Sequence, residues 1–393
     1  MRSRVFDGRG RASRARQPCH NDHIMTRPPQ RAGLRALLED ELRGLATIQA
    51  SDRAWQMPFA AALASGLPLL IGAWSGRMDY GLVASLGGLV FIYLPNTPMS
   101  HRMVMVMAAA FGMTACYALG VMSHFLPGLM IPALVFASIL VTMVCRFYRV
   151  VPPGSLFFIM AASIGAYSPV PPADLPLRVG LIFLGSLLGC LIAFFYSLYM
   201  LRRRAPLPIA PLPAATFDFV VFDSVVIGVF VGLALALAQL LQLEKPYWVP
   251  VSCLAVIQGA SLRAVWNRQL QRTIGTAVGL LLAWGLLLLP LEYWSIALLM
   301  MTLTFVIEST IVRHYALATV FITPLTILLA EAAVLGHGSA GALIGARFID
   351  TVLGCLVGLA GGICLHSPRF RDAVGTPLRR LVPRRFTRGP RPQ

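Results

Sequence analysis

The sequence predicts an all-α integral membrane protein with about twelve transmembrane helices, arranged as two parallel six-helix repeats with both termini in the cytoplasm. Composition is the first reason: 57% of the 393 residues are hydrophobic and only 12% are charged, with a mean hydropathy of +0.72. Soluble domains are usually about 25% charged. Long apolar runs and an uneven distribution of arginine are the other two reasons. A helix needs about 20 apolar residues to cross a bilayer core.

The apolar runs fall into two sets of six predicted spans. The first set comprises residues 57–74, 80–94, 102–123, 126–145, 154–169 and 178–201. The second set comprises residues 218–242, 247–260, 272–290, 293–312, 315–334 and 342–365. A linker rich in arginine and proline, residues 202–217, separates the two sets, because such a segment cannot continue a helix. The two repeats therefore occupy residues 54–201 and 218–365.

Basic tails flank the two repeats. Residues 1–53 are rich in arginine, and leucines at helical spacing within 31–49 predict an amphipathic helix. That helix lies either on the inner membrane surface or against the cytoplasmic ends of the bundle. Residues 366–393 are predicted to form a basic tail without a fold. Met25 is a candidate start of translation, since residues 1–24 show no apolar periodicity.

Basic residues are distributed unevenly between the predicted turns. With the N-terminus inside, 29 of the 33 basic residues fall in cytoplasmic segments. The outer turns hold Arg77, Arg178 and Lys245, and Arg347 lies within a span. Cytoplasmic loops of membrane proteins carry an excess of arginine and lysine. Both termini are therefore predicted to face the cytoplasm.

Similar residues recur in the two sets at an offset of about 167 positions. The matching pairs are Tyr80 with Tyr247, Arg102 with Arg268, Arg146 with Arg313, and Arg178 with Arg347. The last two arginines each stand seven residues before a Gly-x-x-x-Gly string, at Gly185 and at Gly354. Internal duplication is common in transporters. Because each copy has an even number of spans, the two copies are predicted to share one orientation in the membrane.

The basic composition does not indicate a nucleic-acid partner. The net charge is +17, but the arginines lie in the termini and in the turns between apolar runs, where a positive-inside bias explains them. Lys245 is the one lysine in the chain, and no Gly-rich string ends in Gly-Lys-Ser/Thr. ATP hydrolysis is therefore not expected.

No motif indicates an enzyme, a cofactor or a metal site. The sequence lacks the strings of zinc proteases and serine hydrolases, and none of its seven cysteines forms a C-x-x-C pair. Cys19, His20 and His23 are metal-ligand types, but they lie close together in a basic tail. We therefore predict a non-enzymatic protein without cofactor or metal.

A motif near the start of the second set resembles a known family. It comprises Tyr247-Trp248-Val249-Pro250 through Gln258, then Trp266-x-Arg268, then Gln271-Arg272-Thr273-Ile274-Gly275-Thr276. This string is similar to the core of the FUSC family, the fusaric acid resistance-like membrane proteins related to aromatic acid exporters. The small residues Gly275 and Gly279 also predict close approach of another helix.

The resemblance implies a location and a function. It implies a multi-pass protein of the bacterial inner membrane that exports aromatic or other organic acids, driven by the proton gradient. It also implies a small organic anion as substrate and a periplasmic adaptor protein as partner. The linker of about a dozen residues leaves no room for the soluble domain of larger relatives. A homo-oligomer is a further open prediction.

Ionisable residues within predicted spans are the first candidates for a substrate or proton pathway. Burying one costs roughly 2.5–3.5 kcal/mol on insertion scales. Asp223 and Glu308 either serve function or pair with an arginine such as Arg313 or Arg272. Arg347 and Asp350 are three residues apart on one predicted helix, so they share a face. They form either a proton and anion site near mid-membrane or a structural ion pair.

Aromatic, amide and arginine side chains complete the candidate pathway. A guanidinium binds a carboxylate through two parallel hydrogen bonds, and aromatic rings can stack on an aromatic substrate. The candidates are Trp248, Gln258, Arg268 and Arg272. For Trp248 and Trp266, anchoring at the membrane interface is the simpler interpretation.

Two other functions remain open. The chain resembles the plant aluminium-activated malate transporters, which implies an organic-anion channel lined by Arg102, Arg146, Arg268 and Arg313. The other is a membrane scaffold without transport activity, whose basic tails recruit anionic lipid or a partner. Neutralising Arg347 and Asp350 would leave the scaffold's function intact.

Overall fold

The computed structural model describes residues 49–50, 53–150, 152–168, 170–209, 218–331 and 340–381. These residues are helical and contain no β-strand. Most of the predicted amphipathic helix at 31–49, the cluster of Cys19, His20 and His23, and much of the linker lie outside the described residues.

Thirteen α-helices occur in the described part of the chain. They are α1 Gln56–Trp74, α2 Met78–Gly88, α3 Met99–His124, α4 Pro127–Phe147, α5 Leu156–Ala166, α6 Leu175–Leu201, α7 Asp223–Leu240, α8 Trp248–Ile257, α9 Leu262–Leu287, α10 Tyr293–Thr310, α11 Tyr315–Glu331, α12 Ala340–His366 and α13 Pro368–Leu381. A 3-10 segment, Leu89–Tyr93, extends α2, and a π-helical turn, Asp218–Phe222, precedes α7. Each predicted span overlaps one of the helices α1 to α12.

Eight of the described helices are long and apolar enough to cross a membrane: α1, α3, α4, α6, α7, α9, α10 and α12. Four shorter apolar helices, α2, α5, α8 and α11, lie between them in the chain. Large hydrophobic side chains such as Phe111 and Leu281 are exposed on the outside, as expected of a surface that faces lipid. The protein is therefore a multi-pass α-helical membrane protein.

The same helix contacts occur in both halves of the chain. α2 packs on α6 as α8 packs on α12, and α3 packs on α5 and α6 as α9 packs on α11 and α12. Between the halves, α4 packs on α7, and α10 packs on α1. The fourth helix of each half thus lies against the first helix of the other half.

Glycines bring the helix backbones together at these contacts. A side chain at Gly354 of α12 would collide with the carbonyl of Val249 in α8. A Cβ atom at Gly275 of α9 would lie 2.7 Å from the carbonyl oxygen of Ala316 in α11. The close approach predicted at Gly275 is therefore confirmed, and its partner is α11.

Helix α8 lies at the centre of the bundle. All ten of its residues are buried, and it contacts α5, α7, α9 and α12. Ten helical residues span only about 15 Å, half of the hydrocarbon thickness of a bilayer. α8 is therefore too short to span the hydrocarbon core by itself.

The turn between α8 and α9 is shorter than the segment that separates the predicted spans 247–260 and 272–290. α9 begins at Leu262, so Arg263, Arg268 and Arg272 lie on the helix rather than in a hinge. The Ser261 side chain accepts a hydrogen bond from the backbone N–H of Ala264 and caps the first turn. Arginine is a good helix former, so its polarity ended the apolar run but not the helix.

The C-terminal tail is a second correction, because residues 366–393 were predicted to have no fold. α13 begins at Pro368, a residue that suits the first position of a helix. Phe370 and Val374 of this helix pack against Phe222, Val226 and Leu365. The apolar face of α13 therefore holds it against the start of α7 and the end of α12.

Candidate functional site

A cavity of about 700 Å³ lies where the ends of α4, α7, α8 and α12 meet the start of α5. Its volume is in the range that holds small organic ligands, roughly 300–1,000 Å³. The polar and aromatic side chains in its wall include Thr142, Arg146, Arg149, Ser155, Phe219, Asp223, Gln258, His366 and Arg371. α4 and α5 belong to the first half and the other helices to the second, so the cavity lies between the halves.

The cavity wall carries more positive than negative charge. Arg146, Arg149 and Arg371 line it, against a single carboxylate, Asp223. Asp223 is the first residue of α7 and is buried. One carboxylate oxygen accepts a hydrogen bond from Arg146 Nη1 at 2.8 Å, and the other accepts one from Arg371 Nη2. Arg146 also lies over the ring of Phe219, with its guanidinium carbon 4.7 Å from the ring centre.

Uncharged polar groups line another part of this cavity. Gln258, the residue after α8, donates a hydrogen bond from Nε2 to Ser155 Oγ at 2.9 Å. Thr142 Oγ1 donates to the same oxygen at 3.0 Å. Gly154 has a φ of +59°, and a Cβ there would lie 3.3 Å from Gln258 Oε1. The predicted candidates Asp223 and Gln258 thus line the same cavity, together with Arg146.

Arg347 and Asp350 form a separate buried site on α12. The guanidinium carbon of Arg347 lies 4.0 Å from the centre of the Trp248 ring. Within the described residues, neither carboxylate oxygen of Asp350 accepts a hydrogen bond, and Nε and Nη1 of Arg347 have no acceptor. The structural ion pair that the sequence left open is not formed between these two side chains.

A cavity of about 20 Å³ adjoins this pair and is also lined by Lys245, Trp248 and Leu343. That volume accommodates about one water molecule and is too small for an organic acid. A buried polar group without a hydrogen-bond partner costs several kcal/mol, and a water molecule in this cavity could supply that partner.

Arg272 of α9 lies beside the central helix α8. It is buried on α9 and donates hydrogen bonds to Tyr315 Oη at 3.3 Å and to Ser252 Oγ at 3.2 Å. Ser252 is four residues after Trp248, so both lie on one face of α8. This face thus contacts the guanidinium groups of both Arg347 and Arg272.

Several predicted site residues lie elsewhere. Glu308 Oε2 accepts a hydrogen bond from Arg53 Nη1 at 3.0 Å. The partners of Asp223 and Glu308 are therefore not Arg313 or Arg272, and those pairings were wrong. A sequence pattern does not show which turn lies beside which helix, so the partners could not be chosen correctly.

The four arginines of the predicted channel are not brought together at the large cavity. Arg146 lines it, whereas Arg102, Arg268 and Arg313 do not. Arg102 is buried and donates hydrogen bonds to the Thr97 carbonyl at 2.6 Å and to Asn96 Oδ1 at 2.7 Å. Arg268 is half-buried and Arg313 is exposed.

Trp248 is not an interface anchor, which was the simpler interpretation of the sequence. Only 2% of its surface is exposed, because it lies under Arg347 at the start of the central helix. Trp266 is exposed at 41%, in keeping with an interfacial position. The two tryptophans differ because the helices packed around α8 cover all of its faces.

Sequence reasoning missed Arg371, Arg53 and Phe219. Arg371 was assigned to an unfolded tail, although Phe370 and Val374 at helical spacing indicated an amphipathic helix there. Arg53 and Phe219 lie at the borders of predicted spans, where no pattern distinguishes them. In the part of the chain that the structure describes, no three His, Cys, Asp or Glu residues are grouped as metal ligands.

Comparison with known proteins gives two matches. Residues 224–361 match the family model described as fusaric acid resistance protein-like. The uncharacterized membrane protein YvaC of Bacillus subtilis (strain 168) is 28% identical over 146 residues, which cover 37% of this chain and 23% of that protein. The chain thus matches less than a quarter of the length of this relative. No solved structure matches the chain.

The matched segment contains α8, Gln258, Arg272, Arg347 and Asp350. It therefore includes both the central helix and the buried site on α12, while all three arginines that line the large cavity lie outside it. The motif from Tyr247 to Thr276 also falls inside the match. The resemblance is thus confirmed for this part of the chain, because residues 224–361 match the model of the fusaric acid resistance protein-like family.

Proposed function

We propose that this protein is a transporter of the bacterial inner membrane that exports aromatic or other organic acids in exchange for protons. The observation that carries the proposal is the 700 Å³ cavity between the two halves, with Arg146, Arg149 and Arg371 in its wall. A cavity of this size and charge suits a small organic anion. The family match supports a transport function for residues 224–361.

In this mechanism the substrate competes with Asp223 for its arginines. Arg146 and Arg371 each donate to a different oxygen of the Asp223 carboxylate. A substrate carboxylate offers the same geometry and takes one or both guanidinium groups from Asp223. Phe219, which already stacks on Arg146, offers a ring face to an aromatic substrate. The Gln258 and Ser155 side chains supply hydrogen bonds on the opposite side of the ligand.

Proton coupling is assigned to Asp350. Its carboxylate is buried and has no hydrogen-bond donor among the described residues, so protonation removes from the interior a charge that no hydrogen bond stabilises. The central helix α8 connects this site to the large cavity, because Trp248 and Gln258 lie at its opposite ends. A small movement of α8 would change both sites together.

We further propose that all twelve helices α1 to α12 cross the membrane as two parallel repeats, with both termini in the cytoplasm. The recurrence of helix contacts at equivalent positions supports the duplication. The 29 basic residues in the inner segments support the orientation. The large cavity then opens toward the cytoplasm, from which an exporter takes its substrate. A periplasmic adaptor and a homo-oligomer stay predictions of the resemblance.

Flux in proteoliposomes tests the proposal. Phthalate and 4-hydroxybenzoate are suitable aromatic carboxylates, with protein-free liposomes as the correction for leakage. We expect flux that requires a pH gradient in the wild type. Asp350→Asn should lose the gradient-driven flux but retain exchange of labelled for unlabelled substrate, because exchange needs no proton movement. Loss of both would indicate a misfolded variant, and Asp350→Glu then tests whether a carboxylate restores coupling.

Arg146→Gln tests the substrate cavity separately. Removal of a charged hydrogen bond costs about 1.5–3 kcal/mol, so KM should rise about ten- to a hundredfold. Arg203→Gln is the matched control, because Arg203 also stacks on an aromatic ring, Tyr199, but does not line the cavity. An equal effect of both substitutions would contradict a role for the cavity.

An organic-anion channel is the second candidate function, favoured by the position of Arg146 in the cavity wall. A channel predicts flux that follows voltage alone and survives Asp350→Asn. A scaffold predicts no flux in either protein. These outcomes separate the three functions in a single set of proteoliposomes.

A further inference from the structure

A further cavity, of about 270 Å³, is an apolar groove between α1, α2 and α6. It lies in the first half of the chain, outside the segment that matches the family model. Its lining includes Ile71, Gly72, Tyr80, Gly81, Leu184 and Gly185. Ile71 and Leu184 are each 58% exposed, so the groove opens on the surface that faces the bilayer.

Glycines shape the floor of this groove. A Cβ at Gly72 would lie 2.9 Å from the Cα of Gly81, so the backbones of α1 and α2 are in direct contact. Gly185 likewise lets α6 approach the backbone of Ala84 in α2. With no side chain at these positions, a channel remains between the larger residues on either side.

Positive charge lies at one end of the groove. The guanidinium carbon of Arg77 lies 3.7 Å from the centre of the Tyr80 ring, and that of Arg178 lies 5.4 Å from the same centre. Both arginines pair with one carboxylate, Asp79, at 3.4 Å and 3.1 Å, so one of the two positive charges is not neutralised by this carboxylate. The hydrogen bond to Asp79 also raises the pKa of Arg77. Within the described residues, the buried Nε of Arg178 has no acceptor.

The position of these arginines is unusual for this chain. Only three basic residues fall in the predicted outer turns, and two of them, Arg77 and Arg178, lie at the end of this groove. The lining residues of α6 run from Leu181 to Leu188, which is about 10 Å along a helix. The groove therefore fits within one leaflet, since half of the hydrocarbon core is about 15 Å.

We propose that this groove binds an anionic phospholipid of the outer leaflet. Its phosphate contacts Arg77 and Arg178, and one acyl chain lies along the apolar channel past Gly72, Gly81 and Gly185. The groove is charged at one end and apolar along the rest of its length. A phospholipid has the same order, a charged headgroup followed by hydrocarbon. The proposal is independent of transport and holds for a channel or a scaffold as well.

Native mass spectrometry of the full chain in detergent tests this site, with phosphatidylglycerol and phosphatidylcholine as the added lipids. Each arginine near an anionic headgroup is worth about 1 kcal/mol, so Arg77→Gln should weaken phosphatidylglycerol binding about fivefold. Phosphatidylcholine has the same phosphate, but its choline cation offsets that charge, so it should bind less tightly to the wild type and respond less to this change. Leu184→Trp should fill the groove and weaken the binding of both lipids.

Two matched controls separate the groove from the rest of the lipid-facing surface. Arg203→Gln removes another arginine that stacks on a tyrosine, and Leu187→Trp enlarges an exposed residue of α6 that does not line the groove. Neither should change phosphatidylglycerol binding. Equal affinity for the two lipids would overturn the headgroup site. An equal effect of the two tryptophan substitutions, or displacement of lipid by phthalate, would overturn the acyl-chain groove.

Discussion

Two ion pairs join the halves of the chain. Asp223 of α7 pairs with Arg146 of α4, and Glu308 of α10 pairs with Arg53, which precedes α1. Each pair joins the first helix of one half to the fourth helix of the other. The carboxylate belongs to the first helix in the pair of Asp223, but to the fourth helix in the pair of Glu308. A buried charge of either sign needs a partner, so both solutions satisfy the same requirement. The partners are 77 and 255 residues apart in sequence, which is why spacing alone did not identify them.

Exchange of the two charges should preserve the contact between α1 and α10. Glu308→Gln removes the ion pair between Arg53 and Glu308 and should destabilise the protein by about 1–3 kcal/mol, since Arg53 is 23% exposed and partly hydrated. The double variant Arg53→Glu, Glu308→Arg should recover much of this loss. The apparent Tm in detergent measures both effects. A double variant less stable than either single one would show that the pair does not join these helices.

Asp223 should act against substrate binding, because it occupies the arginines that the proposed substrate uses. Asp223→Asn removes the competing charge and should lower KM for phthalate about tenfold, the reverse of Arg146→Gln. Asp372→Asn is the matched control, since Asp372 is exposed on α13 and does not line the cavity. An unchanged KM would mean that the arginines of Asp223 do not contact the substrate.

At the scale of helices, the sequence predicted positions better than ends. Apolar runs in the sequence identified the positions of α1 to α12, because each of these helices carries hydrophobic side chains along most of its length. The ends were less accurate where polar residues continue a helix, as in the first turns of α9, or form a new one, as in α13. Hydropathy measures transfer into lipid, whereas helix ends depend on caps such as Ser261 and on packing partners such as Phe222.

The contact between α8 and α12 should tolerate no side chain at Gly354. A valine there meets the backbone of Val249 and Cys253, and overpacking of this kind costs about 1–3 kcal/mol. Gly354→Val should therefore lower the apparent Tm. Gly285→Val is the control, because no atom lies within 4 Å of a Cβ at that helical glycine. Similar losses in both variants would attribute the effect to helix propensity rather than to packing.

Helix α13 should be held in place by its apolar face. Phe370→Asp removes the contact with Phe222 and should release α13 together with Arg371, which donates to Asp223. Hydrogen–deuterium exchange should increase in residues 368–381 while α8 stays protected. Ala373→Asp places the same charge on an exposed position of this helix and should have no such effect. Unchanged exchange in Phe370→Asp would contradict the docking of α13 through this face.

At the scale of the whole molecule, the candidate site depends on packing that hydropathy does not encode. Asp223 and Gln258 were identified from their types and positions, but nothing in the sequence indicated that they line one cavity with Arg146 and Arg371. Conversely, Arg347 and Asp350 share a helix face, which left a structural ion pair between them as one of two interpretations, and the Trp248 ring lies on Arg347 instead. Local spacing determines which residues share a face, while the neighbouring helices determine what each side chain contacts.

The proposed parallel repeats predict that equivalent turns lie on the same side of the membrane. Ser75 and Glu244 are exposed in the turns that follow the first helix of each half, and Tyr148 and Val312 are exposed after the fourth. Each residue is replaced by cysteine, one at a time, in a variant whose seven native cysteines have been removed. In intact cells a membrane-impermeant maleimide should label Ser75→Cys and Glu244→Cys. It should label Tyr148→Cys and Val312→Cys only after permeabilisation.

The informative result is whether the two members of each pair are labelled from the same side of the membrane. An even number of crossings between equivalent turns returns the chain to the same side, so both members of a pair must react alike. If α2 or α5 failed to cross, the number between Ser75 and Glu244 would be odd, and if α5 or α8 failed to cross, the number between Tyr148 and Val312 would be odd. The two members of that pair would then be labelled from opposite sides. Opposite labelling of either pair would therefore exclude parallel repeats. It would also change the side of the membrane assigned to the large basic cavity or to the groove at Arg77.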